Sequence, residues 1–251
     1  QDGHSHVLAS VIPNLRAYDP AFAFEVAAIV RDGLYRMYEK EEDAFYYITL
    51  YNENIWHPPM PEGAEEGILK GLYRFRPAAE KKERHVQLFG SGSILPSVLK
   101  AQELLAERFR VSADVWSATS YQQLRNEALS ADRWNRLHPQ SDPRVPHVVD
   151  ALRDVPGPVI AATDFMKAVP DMIRPWMAQR YVTLGTDGYG RSDTREALRR
   201  FFEVDAESIA VAALHALAQE GAATAGEVGA AIRELGIDPE KPDPLHPPAG
   251  I

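Results

Sequence analysis

The chain has 251 residues, 45% hydrophobic and 25% charged, with 27 Lys plus Arg against 36 Asp plus Glu and a net charge of −9. This is the composition of a packed globular chain, long enough for one large domain or two modest ones. The acidic balance argues against nucleic-acid and anionic-membrane binding, no run of 18 apolar residues could span a bilayer, and the absence of Cys excludes disulfides, thiolate metal sites and cysteine nucleophiles.

The opening Gln1-Asp2-Gly3-His4-Ser5-His6 is polar, starts without Met and has no helix cap or strand pattern. It is expected to be a cut within a loop. Residues 13–20 predict a short strand ending at a turn, with Asp19-Pro20 as the start of a helix. Phe22, Val26, Ala27, Val30, Leu34 and Met37 recur at helical spacing. Glu41-Glu42-Asp43 reads as a solvated turn, and the aromatic and branched run from Phe45 to Tyr51 as a buried strand. Trp56 to Gly63 is too rich in Pro and Gly for a regular element. Leu72–Phe75 is a further short strand, and the polar stretch 77–85 is a linker.

From Val86 the chain alternates strand and helix. Strands are expected at 86–89, 111–118, 159–162 and 181–184. Helices are expected at about 94–109, 121–129, 146–155, 166–177, 195–202, 205–220 and 224–235. Ser192-Asp193-Thr194, Asp205 and Thr224 stand where helix caps belong. The tail from Asp238 holds five Pro and is expected to be extended. Strands separated by helices of this length need crossovers, which gives an α/β fold with a mostly parallel sheet. The expected division is 1–76, a linker at 77–85, a second domain at 86–237 and a tail at 238–251.

Four constellations have chemical potential. Asp2, His4 and His6 place an acid and two imidazoles within five residues, suited to proton transfer, with no third metal ligand nearby. Gly90-Ser91-Gly92-Ser93 lies between a strand and a helix, where backbone N–H groups attract phosphate. The dinucleotide fingerprint fails there, because Leu95 occupies its third Gly position, and a close-packed turn explains the same residues. Gly185-Thr186-Asp187-Gly188 departs from a thiamine-enzyme metal motif at Thr186, and no Asn follows Asn135. Asn52-Glu53-Asn54 with Trp56 and His57 follows a strand, the place where ligands collect, though a loop satisfying its own backbone is the better account of it.

Longer motifs add a resemblance. Asp2 to His6, Ile12-Pro13-Asn14, Tyr18-Asp19-Pro20, Pro61 to Gly67, Gly90 to Leu95, Arg133-Trp134-Asn135, Arg144-Val145-Pro146 and Leu184 to Asp193 resemble the homodimeric bacterial pyruvate dehydrogenase (acetyl-transferring) family, relatives of transketolase. The resemblance covers essentially the whole chain. It implies the end of a pyrimidine-binding middle domain followed by a Rossmann-like transketolase C-terminal domain. It also implies a cytoplasmic homodimer that uses thiamine diphosphate and Mg²⁺ to decarboxylate pyruvate and pass the acetyl group to lipoylated dihydrolipoyl acetyltransferase. Members are several times longer and hold the cofactor mainly elsewhere, so a further N-terminal part or a companion chain is implied. Asp2 and His6 match the spacing of the transketolase Asp-Gly-Pro-Thr-His segment and are implied to face the substrate, with His4 next. The competing readings are a dimerisation or regulatory module and a ketol transferase.

Overall fold

The computed structural model describes residues 3–246. The chain opens with helix α1 (Ser5–Ala9), strand β1 (Leu15–Tyr18), helix α2 (Ala23–Leu34, followed by a π-helical turn over Tyr35–Glu39) and strand β2 (Phe45–Ile48). β1 and β2 pair in parallel, Leu15 opposite Phe45 and Tyr18 opposite Ile48, with α2 as the crossover. Expected to be buried through Tyr51, β2 is shorter and only half-buried, and Phe45 stays exposed. The expected helix start at Asp19 also moves. The turn begins at Phe22, where the Glu25 carboxylate accepts the N–H groups of Ala21 and Phe22, and Asp19 is left to point inward.

Helix α3 (Ala64–Lys70) leads into the main sheet, whose strands are β3 (Tyr73–Arg76), β4 (His85–Gly90), β5 (Ser112–Ser117), β6 (Val159–Ala162) and β7 (Tyr181–Leu184), in the order β3-β5-β4-β6-β7. β3 runs antiparallel to β5, and the other neighbours are parallel. The stretch 77–85 thus connects two strands of one sheet rather than two sheets.

Every residue of β4, β5 and β6 is buried, as parallel strands covered on both faces must be. On one face α4 (Leu95–Arg108) and α8 (Ala206–Gln219) pack on Val86, Leu88, Val115 and Ile160, and α9 (Ala225–Glu234) packs on α8. On the other, α5 (Tyr121–Leu137), α6 (His147–Ala151) and a 3₁₀ helix (Pro170–Trp176) cover Phe89, Trp116 and Ala161. Helix α7 (Arg195–Phe201) precedes α8.

Three expectations change here. α5 runs eight residues past Leu129, because its polar last turns are a solvent face that still buries Ala131. The helix expected over 166–177 is 3₁₀, since Pro175 lacks an N–H and crowds the preceding turn. In the tail, Asp238 and Asp243 accept the N–H groups two residues on, so 238–246 turns rather than extends. Residues 247–251 lie outside the described residues.

Candidate functional site

The chain passes from β4 to β5 on one side and returns to β6 on the other. A crevice therefore opens beyond the carboxyl ends of β4 and β6, the position where open α/β sheets receive ligands. Its rim is polar. Ser91 Oγ lies 3.0 Å from Thr163 Oγ1, and Ser93 donates to Asp164 Oδ2 at 3.1 Å. The chain's own first segment fills it. Asp19 N–H donates to the Thr119 carbonyl at 2.8 Å, and Gly92 N–H donates to the Asp19 carbonyl at 3.1 Å.

Gly92 explains the Gly-Ser-Gly-Ser turn. Its φ is +46°, and a Cβ there would run into the Asp19 carboxylate and the Tyr51 hydroxyl. The glycine admits a carboxylate of the same chain, and that negative charge makes the turn a poor cradle for phosphate. Of the two sequence readings, close packing is the one the geometry supports.

Asp19 is only 5% exposed, and its Oδ1 accepts two hydroxyls, Thr49 at 2.7 Å and Tyr51 at 2.5 Å. Burial, and after it the charge of Asp19, pushes the Tyr51 phenol far above its ordinary pKa, so it stays a donor. Thr49 Oγ1 also lies 3.1 Å from His6 Nε2. The His6 ring is 6% exposed, with Phe165 and Tyr47 edge-on at 4.5 and 5.4 Å. Beside it a small cavity of about 10 Å³, room for one water, is lined by His6, Asp19, Ser91 and Tyr121. Asp19 Oδ2, on one of these lining residues, has no hydrogen-bond partner among the described residues.

The Gly3–His6 stretch is thus seated between the strand ends of both sheets. The Gly3 carbonyl accepts Met166 N–H at 2.9 Å, and a Cβ on Gly3 would press on the Thr186 carbonyl at 3.1 Å. The two imidazoles separate: His6 turns inward, while His4 precedes α1 with its side chain exposed and its carbonyl accepting Val7 and Leu8 N–H. Asp2 lies outside the described residues.

The remaining sequence candidates have structural work. A cleft of about 230 Å³ next to Asp19 and its hydroxyl partners is lined by Tyr51, Glu53, Asp164, Thr186, Arg195 and Arg199. Glu53 accepts Arg199 at 2.6 Å, and Arg195 donates to the Asn52 carbonyl and side chain at 3.1 and 2.6 Å, so this loop is clamped to α7. His57 Nδ1 accepts Ala23 N–H, and Trp56 is exposed. Asp187 accepts Lys167 N–H.

Two buried clusters escaped the sequence reading. Glu25, 0% exposed, accepts Tyr73 OH and Ser117 Oγ at 2.6 Å each, in addition to its two backbone donors, and so joins α2 to the main sheet. Its position three residues after the helix start is the signature of a carboxylate that reaches back to cap. His85 Nδ1 meets Ser112 Oγ at 2.7 Å and its Nε2 meets Asp114 Oδ2 at 3.3 Å. Lys82 N–H donates to Ser112 and Ala78 N–H to Asp114, so the trio fastens the 77–84 stretch. Polar residues at alternate positions of a strand buried on both faces were the available signal. Among the described residues no group of three or more His, Asp or Glu could hold a metal, and the diphosphate of thiamine does not fit a turn faced by Asp19.

Residues 1–58 match the family described as pyruvate dehydrogenase E1 component middle domain, and residues 71–205 the transketolase-like TK C-terminal domain. The pyruvate dehydrogenase E1 component of Pseudomonas aeruginosa is 51% identical over 246 residues, 98% of this chain and 28% of that protein. The Escherichia coli K12 component is 49% identical over 97% of this chain and 27% of its own length. The chain therefore spans little more than a quarter of the curated relatives it matches. Among solved structures, a Pichia stipitis transketolase in complex with sedoheptulose-7-phosphate superposes with a TM-score of 0.60 at 16% identity, over 89% of this chain and 28% of that one. A split-gene transketolase, an inactive beta4 tetramer, gives 0.54 at 17% identity, over 86% and 62%. These two likenesses concern the fold. With more than half of its residues inside the transketolase-like C-terminal match and its first 58 inside the E1 middle-domain match, the chain belongs to the transketolase-like family, as the junction of an E1-type middle domain with a transketolase-type C-terminal domain.

Proposed function

We propose that this chain is the C-terminal part of a thiamine-diphosphate-dependent pyruvate dehydrogenase, working within a longer polypeptide or beside a companion chain. One observation carries the reading: the Gly3–His6 turn is held by both sheets at the crevice, in a segment that matches the E1 middle domain. When bound, the cofactor accepts the electron pair that decarboxylation releases. The cofactor and its Mg²⁺ are held mainly by other parts of the working protein.

This chain contributes a wall of the substrate site. His6 is the imidazole set in place for proton transfer, with the exposed His4 on the same turn and Asp2, close by in the sequence, as the further candidate. The main sheet is the platform that fixes the turn against Met166 and Thr186. The working unit is a cytoplasmic homodimer, and the acetyl group passes to lipoylated dihydrolipoyl acetyltransferase.

The test is turnover by the complete polypeptide. Pyruvate should be decarboxylated, and His6→Gln should lower kcat at least tenfold, the order expected for losing a proton-transfer group. Turnover of ketose phosphates in preference to pyruvate would make the protein a ketol transferase. No turnover of either would favour the dimerisation or regulatory module.

A further inference from the structure

We propose that Thr49 and Asp19 are positioning residues that hold the His6 imidazole in place with its Nε2 protonated. The proposal rests on the reading of His6 as part of the substrate site.

Thr49 Oγ1 lies 2.7 Å from Asp19 Oδ1, 3.3 Å from the Tyr18 carbonyl and 3.1 Å from His6 Nε2. A threonine hydroxyl carries one hydrogen and two lone pairs. The Asp19 carboxylate and the Tyr18 carbonyl can only accept, so the single hydrogen goes to one of them. Asp19 is the nearer, and a charged acceptor makes the stronger bond. What Thr49 then offers His6 is a lone pair, and only a protonated Nε2 can use it. The contact thus requires a proton on Nε2, because a ring protonated on Nδ1 alone would bring two lone pairs face to face.

The geometry makes this assignment firm. Tyr51 donates to the same Asp19 Oδ1 at 2.5 Å, so the carboxylate is held by two hydroxyls and cannot swing away from Thr49. Gly92 closes over it from the other side, where no Cβ could fit. Phe165 and Tyr47 hold the imidazole plane edge-on, so the ring cannot flip to exchange its nitrogens without displacing them. Each part comes from a different element: His6 from α1, Asp19 from the end of β1, Thr49 and Tyr51 from beyond β2, and Phe165 from beyond β6. The imidazole is therefore oriented by the joint between the two sheets.

The test uses the complete polypeptide and a double-mutant cycle. Thr49→Val keeps the shape and removes the hydroxyl. It should lower kcat about tenfold, an effect of orientation on proton transfer, with KM changed less than about twofold. Thr49→Ser restores the hydroxyl and should recover most of the loss. In a His6→Gln background Thr49→Val should cost nothing further, because the two act as one unit. The proposal is overturned if Thr49→Val keeps wild-type kcat while His6→Gln is impaired, if the two losses multiply, or if Thr49→Ser is as poor as Thr49→Val. An unimpaired His6→Gln is a different failure. It removes His6 from the substrate site, and the positioning role goes with it.

Discussion

The two sheets of this protein solve the same problem in different ways. The five-stranded sheet is covered on both faces by its own helices, and β4, β5 and β6 are buried at every position. The two-stranded sheet has one crossover helix, and Phe45, Leu8 and Val11 lie exposed beside it. A parallel pair of strands does not stand alone. Beside a small apolar cluster of Tyr18, Ile29, Ile68 and Tyr73, much of its support is polar and comes from the other sheet's side. Gln122 accepts Ala17 N–H, Ser120 donates to the Ala17 carbonyl, and Gln123 accepts Arg16. A core made from apolar area tolerates local error, whereas one held by directed hydrogen bonds depends on a few atoms. The Gly3–His6 turn lies on the dependent side, so its geometry inherits that sensitivity.

The comparison can be broken most forcefully at Glu25. Replacing it with Leu leaves the Tyr73 and Ser117 hydroxyls buried without their acceptor and should cost about 3 kcal/mol or more, read by denaturant unfolding. A loss below about 1 kcal/mol would mean that the joint is not held by this carboxylate. The same residue carries a pH signature. Burial raises its pKa against the pull of Ser117, Tyr73 and two backbone N–H groups. Its contribution is therefore full below the ordinary carboxylate pKa and is lost as pH rises through the raised value. The stability gap between wild type and Glu25→Gln should narrow as pH rises, and a gap that widens would contradict the shift.

Gly92→Ala tests the joint from the main-sheet side. A Cβ pressed onto Asp19 and Tyr51 should cost about 1–3 kcal/mol, as overpacking does. In the complete polypeptide the loss of turnover should exceed what the change in Tm suggests. The smallest effect belongs to the Glu53–Arg199 clamp, whose side chains are both partly exposed. Arg199→Ala should cost about 1 kcal/mol or less, and should speed proteolysis within residues 50–57 before any change in the main sheet.

Much of the fold was legible because it rests on short-range chemistry. Thr194, Asp205 and Thr224 accept the N–H three residues on, as caps should. The apolar spacing of α4 and α8 is the face they bury. The site was legible only in part. The His6 segment was visible through resemblance. Its partners Thr49 and Asp19 were not, because they lie 43 and 13 positions away in the sequence and meet only where two strands end. Asp19 looked like a helix start because an acid before Pro usually is one.

What the sequence determined by itself was the alternation of elements, their caps and the family, since periodicity and motifs are local. What only the tertiary structure decided was which strand joins which sheet, the antiparallel β3 above all, and which acids turn inward. Those choices depend on burial and hydrogen-bond partners brought together by folding, and no window along the chain contains both halves of such a contact.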